Sequence, residues 1–175
     1  MPALSSYKNL NILEFKINVA MIRSNNLTEF TRDHHRGLSL SWKIRQGIKN
    51  RVELNELVKY TIHYACEALF PHFAEEENQV LIHLSPDDIY RKRTIAEHLE
   101  IIALIEQLGI DGNANEGLLL KLADKAEEHI RFEERELFPY MESKLSAGQL
   151  DEIGKLISEL HQPFVETFNN KFWAS

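Results

Sequence analysis

Apolar residues recur at spacings of three and four along most of the chain, as in Leu54, Leu57, Thr61, Ala65 and Leu69, or Leu118, Leu122 and Ala126. That period lays them in one stripe along a helix. Helix starts are marked by a side-chain acceptor with Glu or Gln three residues later, a pair that satisfies otherwise orphaned backbone N–H groups. Asn26 with Glu29 predicts a first helix to about Lys49, and Asn50 with Glu53 a second to about His83. Ser85, Pro86, Asp87 and Asp88 open a third, which Gly109 and the Asp111-Gly112 pair close. Asn113 with Glu116 starts a fourth to about Leu145, and Ser146 with Gln149 a fifth to about Asn170.

Connections this short make neighbouring helices antiparallel, and each stripe must be buried against the others. The expected fold is all-α. It comprises an antiparallel up-down-up-down four-helix bundle over 26–145, an additional C-terminal helix packed on it within 146–175, and an N-terminal arm over 1–25. In the arm, Leu13, Phe15, Ile17 and Val19 alternate with polar residues as a short strand would.

Composition narrows the function. With 43% hydrophobic and 27% charged residues in 175, the chain is expected to form one ordinary soluble domain. Its net charge of -7 gives no general attraction to nucleic acid or anionic lipid. No apolar run is long enough to span a bilayer, and the first residues lack the pattern of a secretory signal. The single cysteine, Cys66, cannot form an intramolecular disulfide; it reads as a small core residue in a reducing, cytoplasmic setting. Trp42 also reads as core.

Polar residues then interrupt the stripes. Past Leu69 the second stripe meets His72 and Glu76; past Ala126 the fourth meets His129 and Glu133, and Leu137 resumes it. Residues four apart on a helix differ by only about 40° in azimuth, so imidazole and carboxylate point the same way. Two buried carboxylates facing each other call for a cation. Imidazole with carboxylate suits divalent iron, manganese or zinc. The first and third helices add His35 and His98, each followed three residues later by an aliphatic, so the chain reads as two copies of one helix pair. A step of about 100° per residue lets either His34 or His35 approach the stripe, and the repeat favours His35. His63 and His83 fall outside the cluster, and His161 reads as a surface or packing residue held in reserve as a ligand. Glu75, Glu77 and Glu134 read as solvated neighbours.

Over Asn26 to Leu145 the chain resembles the hemerythrin-like, or HHE cation-binding, domains. The likeness rests on Asp33-His34-His35, Pro71-His72-Phe73-Ala74-Glu75-Glu76, Glu97-His98, and His129-Ile130-Arg131-Phe132-Glu133-Glu134 followed by Leu137-Phe138-Pro139. It implies two non-haem iron ions, or manganese or zinc in their place, bridged by oxo, hydroxo or water and held by His35, His72, Glu76, His98, His129 and Glu133. The oxygen carriers of the family have a second His four residues after the helix-three His, where this chain has Ile102, and an Asp where it has Glu134. Those departures count against simple reversible oxygen carriage. The expected role is to bind, sense or activate oxygen or nitric oxide, more as a binding protein than an enzyme. A di-iron repair or iron-handling factor resembles the same core but typically carries an N-terminal cysteine module that this chain lacks. A regulatory interaction protein with a metal-dependent core is the other alternative. The ferritin-like sites use Glu-x-x-His, and no His here has Glu three residues before it.

Overall fold

A computed structural model of the chain describes residues 25–174; the expected N-terminal arm lies almost wholly outside the described residues. Those described are mostly helical, with no strand among them. A short turn at Asn25–Leu27 leads into α1 (Thr28–Lys49). A long α2 spans 54–83, followed by α3 (Ile89–Leu108), α4 over 116–144 and α5 (Ala147–Leu160).

The expected helices all form, with shifted starts. Asn26 does not cap α1, because its amide donates to Asp151 of α5 at 3.2 Å. Asn50 closes α1 instead of opening α2: its N–H donates to Gln46 O, Arg51 turns the chain through a left-handed φ of 55°, and α2 begins at Leu54. Ser85 forms a turn by accepting the Asp87 N–H, and Asp88 is the cap of α3. Asn115, not Asn113, caps α4, and Gly112 supplies the left-handed turn before it at φ 82°. The Ser146–Gln149 capping box of α5 forms as expected.

The fifth helix departs most. It ends at Leu160 rather than near Asn170, because Pro163 lacks an N–H and clashes with a helical backbone before it. Phe164, Phe168 and Phe172 are spaced four apart as on a helix, yet the first two lie on a non-helical strap and Phe172 starts a short 3-10 turn at its end. Phe164 packs on Tyr64 at 4.9 Å between ring centroids, and Phe168 and Phe172 pack on Tyr60. Glu166 fastens the strap through Lys43 at 2.8 Å and the Tyr60 hydroxyl at 3.0 Å.

The core is two apolar clusters. One gathers Leu40, Ile44, Leu57, Tyr60, Leu104 and Leu122 with their neighbours; the other gathers Phe30, Val80, Leu81, Leu137, Phe138 and Ile153 with theirs. Each of α1 to α4 runs from one cluster to the other, and the polar residues of the stripes lie between. Trp42 and Cys66 are both exposed, contrary to expectation. The buried stripe of α1 is Gly37, Leu40, Ser41 and Ile44, which turns Trp42 outward.

Asp88 ties the start of α3 to the end of α4, accepting from the Tyr90 N–H, the Tyr140 hydroxyl and Lys144. Burial pushes its carboxyl up, but Lys144, Tyr140 and the backbone donors outweigh burial and hold it below its usual value of 3.8. A depressed value adds stability that is present above the unfolded-state value and lost as pH falls through the folded one. Asp88→Ala is therefore expected to lower the unfolding free energy by about 1–3 kcal/mol near neutrality. Denaturant titrations of wild type and variant should show that gap narrowing in acid.

Candidate metal centre

Between the two apolar clusters, α1 to α4 place His34, His72, Glu76, His98, His129 and Glu133, all buried. Their ligand atoms fall into two groups: Glu76, His98, His129 and Glu133 in one, His34, His72 and Glu133 in the other, with the atoms of each group within 4.8 Å of one another. Glu133 belongs to both. Its Oε1 lies 3.0 Å from His129 Nε2, and its Oε2 lies 3.1 Å from His34 Nε2. Glu76 Oε2 is 3.3 Å from His98 Nε2.

The helices are deformed where they carry these carboxylates. The Leu81 N–H donates to Glu76 O and the Phe138 N–H to Glu133 O, five residues back rather than four. Each π-turn begins at a site glutamate, a position where such turns are frequent in functional sites. The extra residue sends two consecutive apolar side chains into the core in each half, Val80 with Leu81 and Leu137 with Phe138. A third π-turn, Ala65–Leu69, stands just before Pro71, whose missing N–H an α-helix interior would otherwise feel.

His34, not His35, is the α1 histidine of this cluster. His35 is exposed and turns its Nδ1 to Thr31 O. The sequence misled because Leu38 and Trp42, three and seven residues after His35, look like core. In fact Gly37 and Ser41, at those offsets from His34, make the interface. A Cβ on Gly37 would come within 2.6 Å of Ile130 Cδ1, and Ser41 Oγ donates to Ala123 O at 2.9 Å. Small residues here let α1 approach α4 closely.

The remaining glutamates are not solvated bystanders. Glu134 accepts at 2.7 Å from His34 Nδ1, and Glu77 at 2.7 Å from His98 Nδ1. Glu97, which the sequence did not single out, lies 2.9 Å from His129 Nδ1, and Asp33 lies 3.5 Å from His72 Nδ1. Glu75 holds His161 Nδ1 at 2.9 Å, so His161 is buried beside the site instead of lying on the surface. Carboxylates on one ring nitrogen fix tautomer and orientation so that the other nitrogen faces inward. The signal in the sequence was the doubling Glu76-Glu77 and Glu133-Glu134. Stacking holds the rings too: Phe73 on His98 at 3.9 Å and Phe138 on His34 at 5.4 Å. His63, by contrast, meets Thr167 of the strap, away from the cluster.

The charge balance favours a cation. Burial pushes His34 and His98 down, but Glu133 with Glu134 and Glu133 with Glu76, respectively, outweigh it and hold both imidazoles up at about 10. Burial likewise pushes Glu133 up, yet His129, His34 and His98 hold it well below the carboxylate range. Positive charge is thus required in this layer, as protons or as metal. Nε2 of His34, His98 and His129 and both oxygens of Glu76 and Glu133 are buried with no hydrogen-bond partner. Orphaned donors and acceptors of this kind fit a metal, which such residue types hold with bonds of about 2 Å.

An all-helical bundle with a buried His/Glu cluster built to surround cations is the class that these features define. The Hemerythrin HHE cation binding domain matches residues 26–141, and the chain belongs to that family. No curated protein and no solved structure matches it.

His34→Ala is expected to lose metal, whereas His35→Ala keeps the wild-type content; metal analysis of the two purified variants decides between them. Glu77→Ala and Glu134→Ala should each weaken metal binding by about 10–100-fold, measured by competition with a chelator of known affinity.

Proposed function

We propose that the chain holds two non-haem iron ions, one at His34, His72 and Glu133 and the other at Glu76, His98, His129 and Glu133, and binds oxygen or nitric oxide there. The observation that carries this reading is the convergence of unpartnered buried nitrogens and carboxylate oxygens from four helices on two overlapping groups. The order in which α1 to α4 pass between the two apolar clusters supports the up-down-up-down arrangement, which lets each helix pair bring one His and one His-x-x-x-Glu to the centre.

Bound iron supplies the one-electron chemistry that diatomic ligands require. The chain's own residues do the rest. Glu134, Glu77 and Glu97 orient three of the histidines, and Asp33 faces the fourth. Phe73, Phe138 and the two apolar clusters keep bulk water from the layer. The group at His34 and His72 draws three ligands from the chain, the other four, so an exogenous ligand finds more room at the first.

Because Glu133 serves both groups, Glu133→Gln should empty both positions, while Glu76→Gln should spare the group that lacks it. Elemental analysis should give two irons per wild-type chain, about one for Glu76→Gln and none for Glu133→Gln. Iron-loaded wild type should show an absorption band on air exposure that shifts with azide or nitric oxide. Colourless protein with zinc as its only metal would overturn the proposal.

A further inference from the structure

Three of the site histidines, His34, His72 and His129, also line a cavity of about 370 Å³ between α1, α2, α4 and the start of the strap. A water molecule occupies about 30 Å³ of liquid, so this space is roughly ten times what a diatomic ligand needs. It falls in the range of small-molecule pockets, about 300–1,000 Å³. Most of its wall is apolar, including Leu40, Leu69, Ile101, Ile130 and Phe164.

Polar groups gather at one end, and their charges are already matched. Arg36 donates to Asp33 at 2.7 Å, and His161 is paired with Glu75 at 2.9 Å. Those pairs leave no unmatched cation there for an anionic ligand, and the remaining lining carboxylate, Glu67, is exposed to solvent, away from the buried pairs. Hydrogen-bonding capacity does remain, because Glu75 Oε1 and His161 Nε2 are buried without hydrogen-bond partners. Neither residue belongs to the two metal-binding groups. An acceptor and an imidazole nitrogen together suit a hydroxyl, which both donates and accepts.

We propose that this cavity binds a small neutral alcohol or phenol, its hydroxyl between Glu75 and His161 and its hydrocarbon body against Leu40, Leu69 and Ile130. The proposal adds an organic ligand to the centre assigned above and rests on that reading only for the ligand's nearness to metal.

The probe is 4-methylphenol, titrated calorimetrically into full-length protein whose metal content has been measured in the same sample. Saturable binding of one molecule per chain is expected, with toluene and 4-methylbenzoate at least tenfold weaker. Ala68→Trp, which fills the cavity from α2, should weaken binding at least tenfold with metal content unchanged, and Glu75→Gln should erase the preference over toluene. Nuclear Overhauser contacts from the probe's methyl to Ile130 and Leu40 in zinc-loaded wild type place the ligand without any variant. No saturable binding by metal-containing protein, equal affinity for toluene, or contacts elsewhere would each overturn the proposal. Protein that binds 4-methylphenol in this cavity but never takes up metal would support it and overturn the di-iron reading instead.

Discussion

Everything in this molecule is arranged around two carboxylates, Glu76 and Glu133, held with no solvent exposure in the middle of a helical bundle. A lone buried carboxylate is destabilising by several kcal/mol or must take up a proton. Here four histidines and an outer ring of acids surround the pair, and His129, His34 and His98 hold Glu133 well below the carboxylate range. The apolar core cannot be continuous through such a layer, and it divides into two clusters, one on each side. Folding stability comes from the clusters, while the polar layer fixes helix register, since slipping any helix by a turn would strand a charge in hydrocarbon. A cation among the orphaned atoms converts the layer from a liability into a bond between all four helices.

Much of this was legible in the sequence. Helix count and the interrupted stripes follow from periodicity, and five of the six buried cluster residues follow from His-x-x-x-Glu and His98. The sixth was misread because the interface on α1 is made of Gly37 and Ser41, which no hydrophobicity pattern marks. Helix starts shifted where a nearby polar group competed for the capping residue, as Asp151 does for Asn26. The length of α5 was overestimated because its start was marked by a capping box while the stop at Pro163 was not weighed. The outer carboxylates were missed for a different reason: adjacent acidic residues ordinarily face water, and only the tertiary packing turns Glu77 and Glu134 onto the next helix.

Once His34 is aligned with His98, the internal repeat becomes closer than the first alignment implied. The buried positions three, six, seven and ten residues on are Gly37, Leu40, Ser41 and Ile44 in one half and Ile101, Leu104, Ile105 and Leu108 in the other. The outer acids follow the same rule. The residue before the lone histidine reaches the histidine on the second helix of its own pair, as Asp33 faces His72 and Glu97 faces His129. The residue after each site glutamate crosses to the lone histidine of the other pair, as Glu77 does to His98 and Glu134 to His34.

The one place where the repeat breaks explains where the site opens. Asp33 is a methylene shorter than Glu97, and its distance to the histidine is 3.5 Å rather than 2.9 Å. Arg36, His161 and Glu75 crowd into the space around it, and the cavity lies on that side, roofed by a strap that has no counterpart on the other half among the described residues. A symmetric pair of helix hairpins would bury its metals equally and admit nothing. The shorter acid and the irregular segment beside it leave the cavity against His34, His72 and His129, so an opening reaches both residues of the three-ligand group that come from α1 and α2 but only one residue of the other group. The asymmetry that the proposed ligand-binding role needs is thus produced at the edge of the site and not among the six central residues.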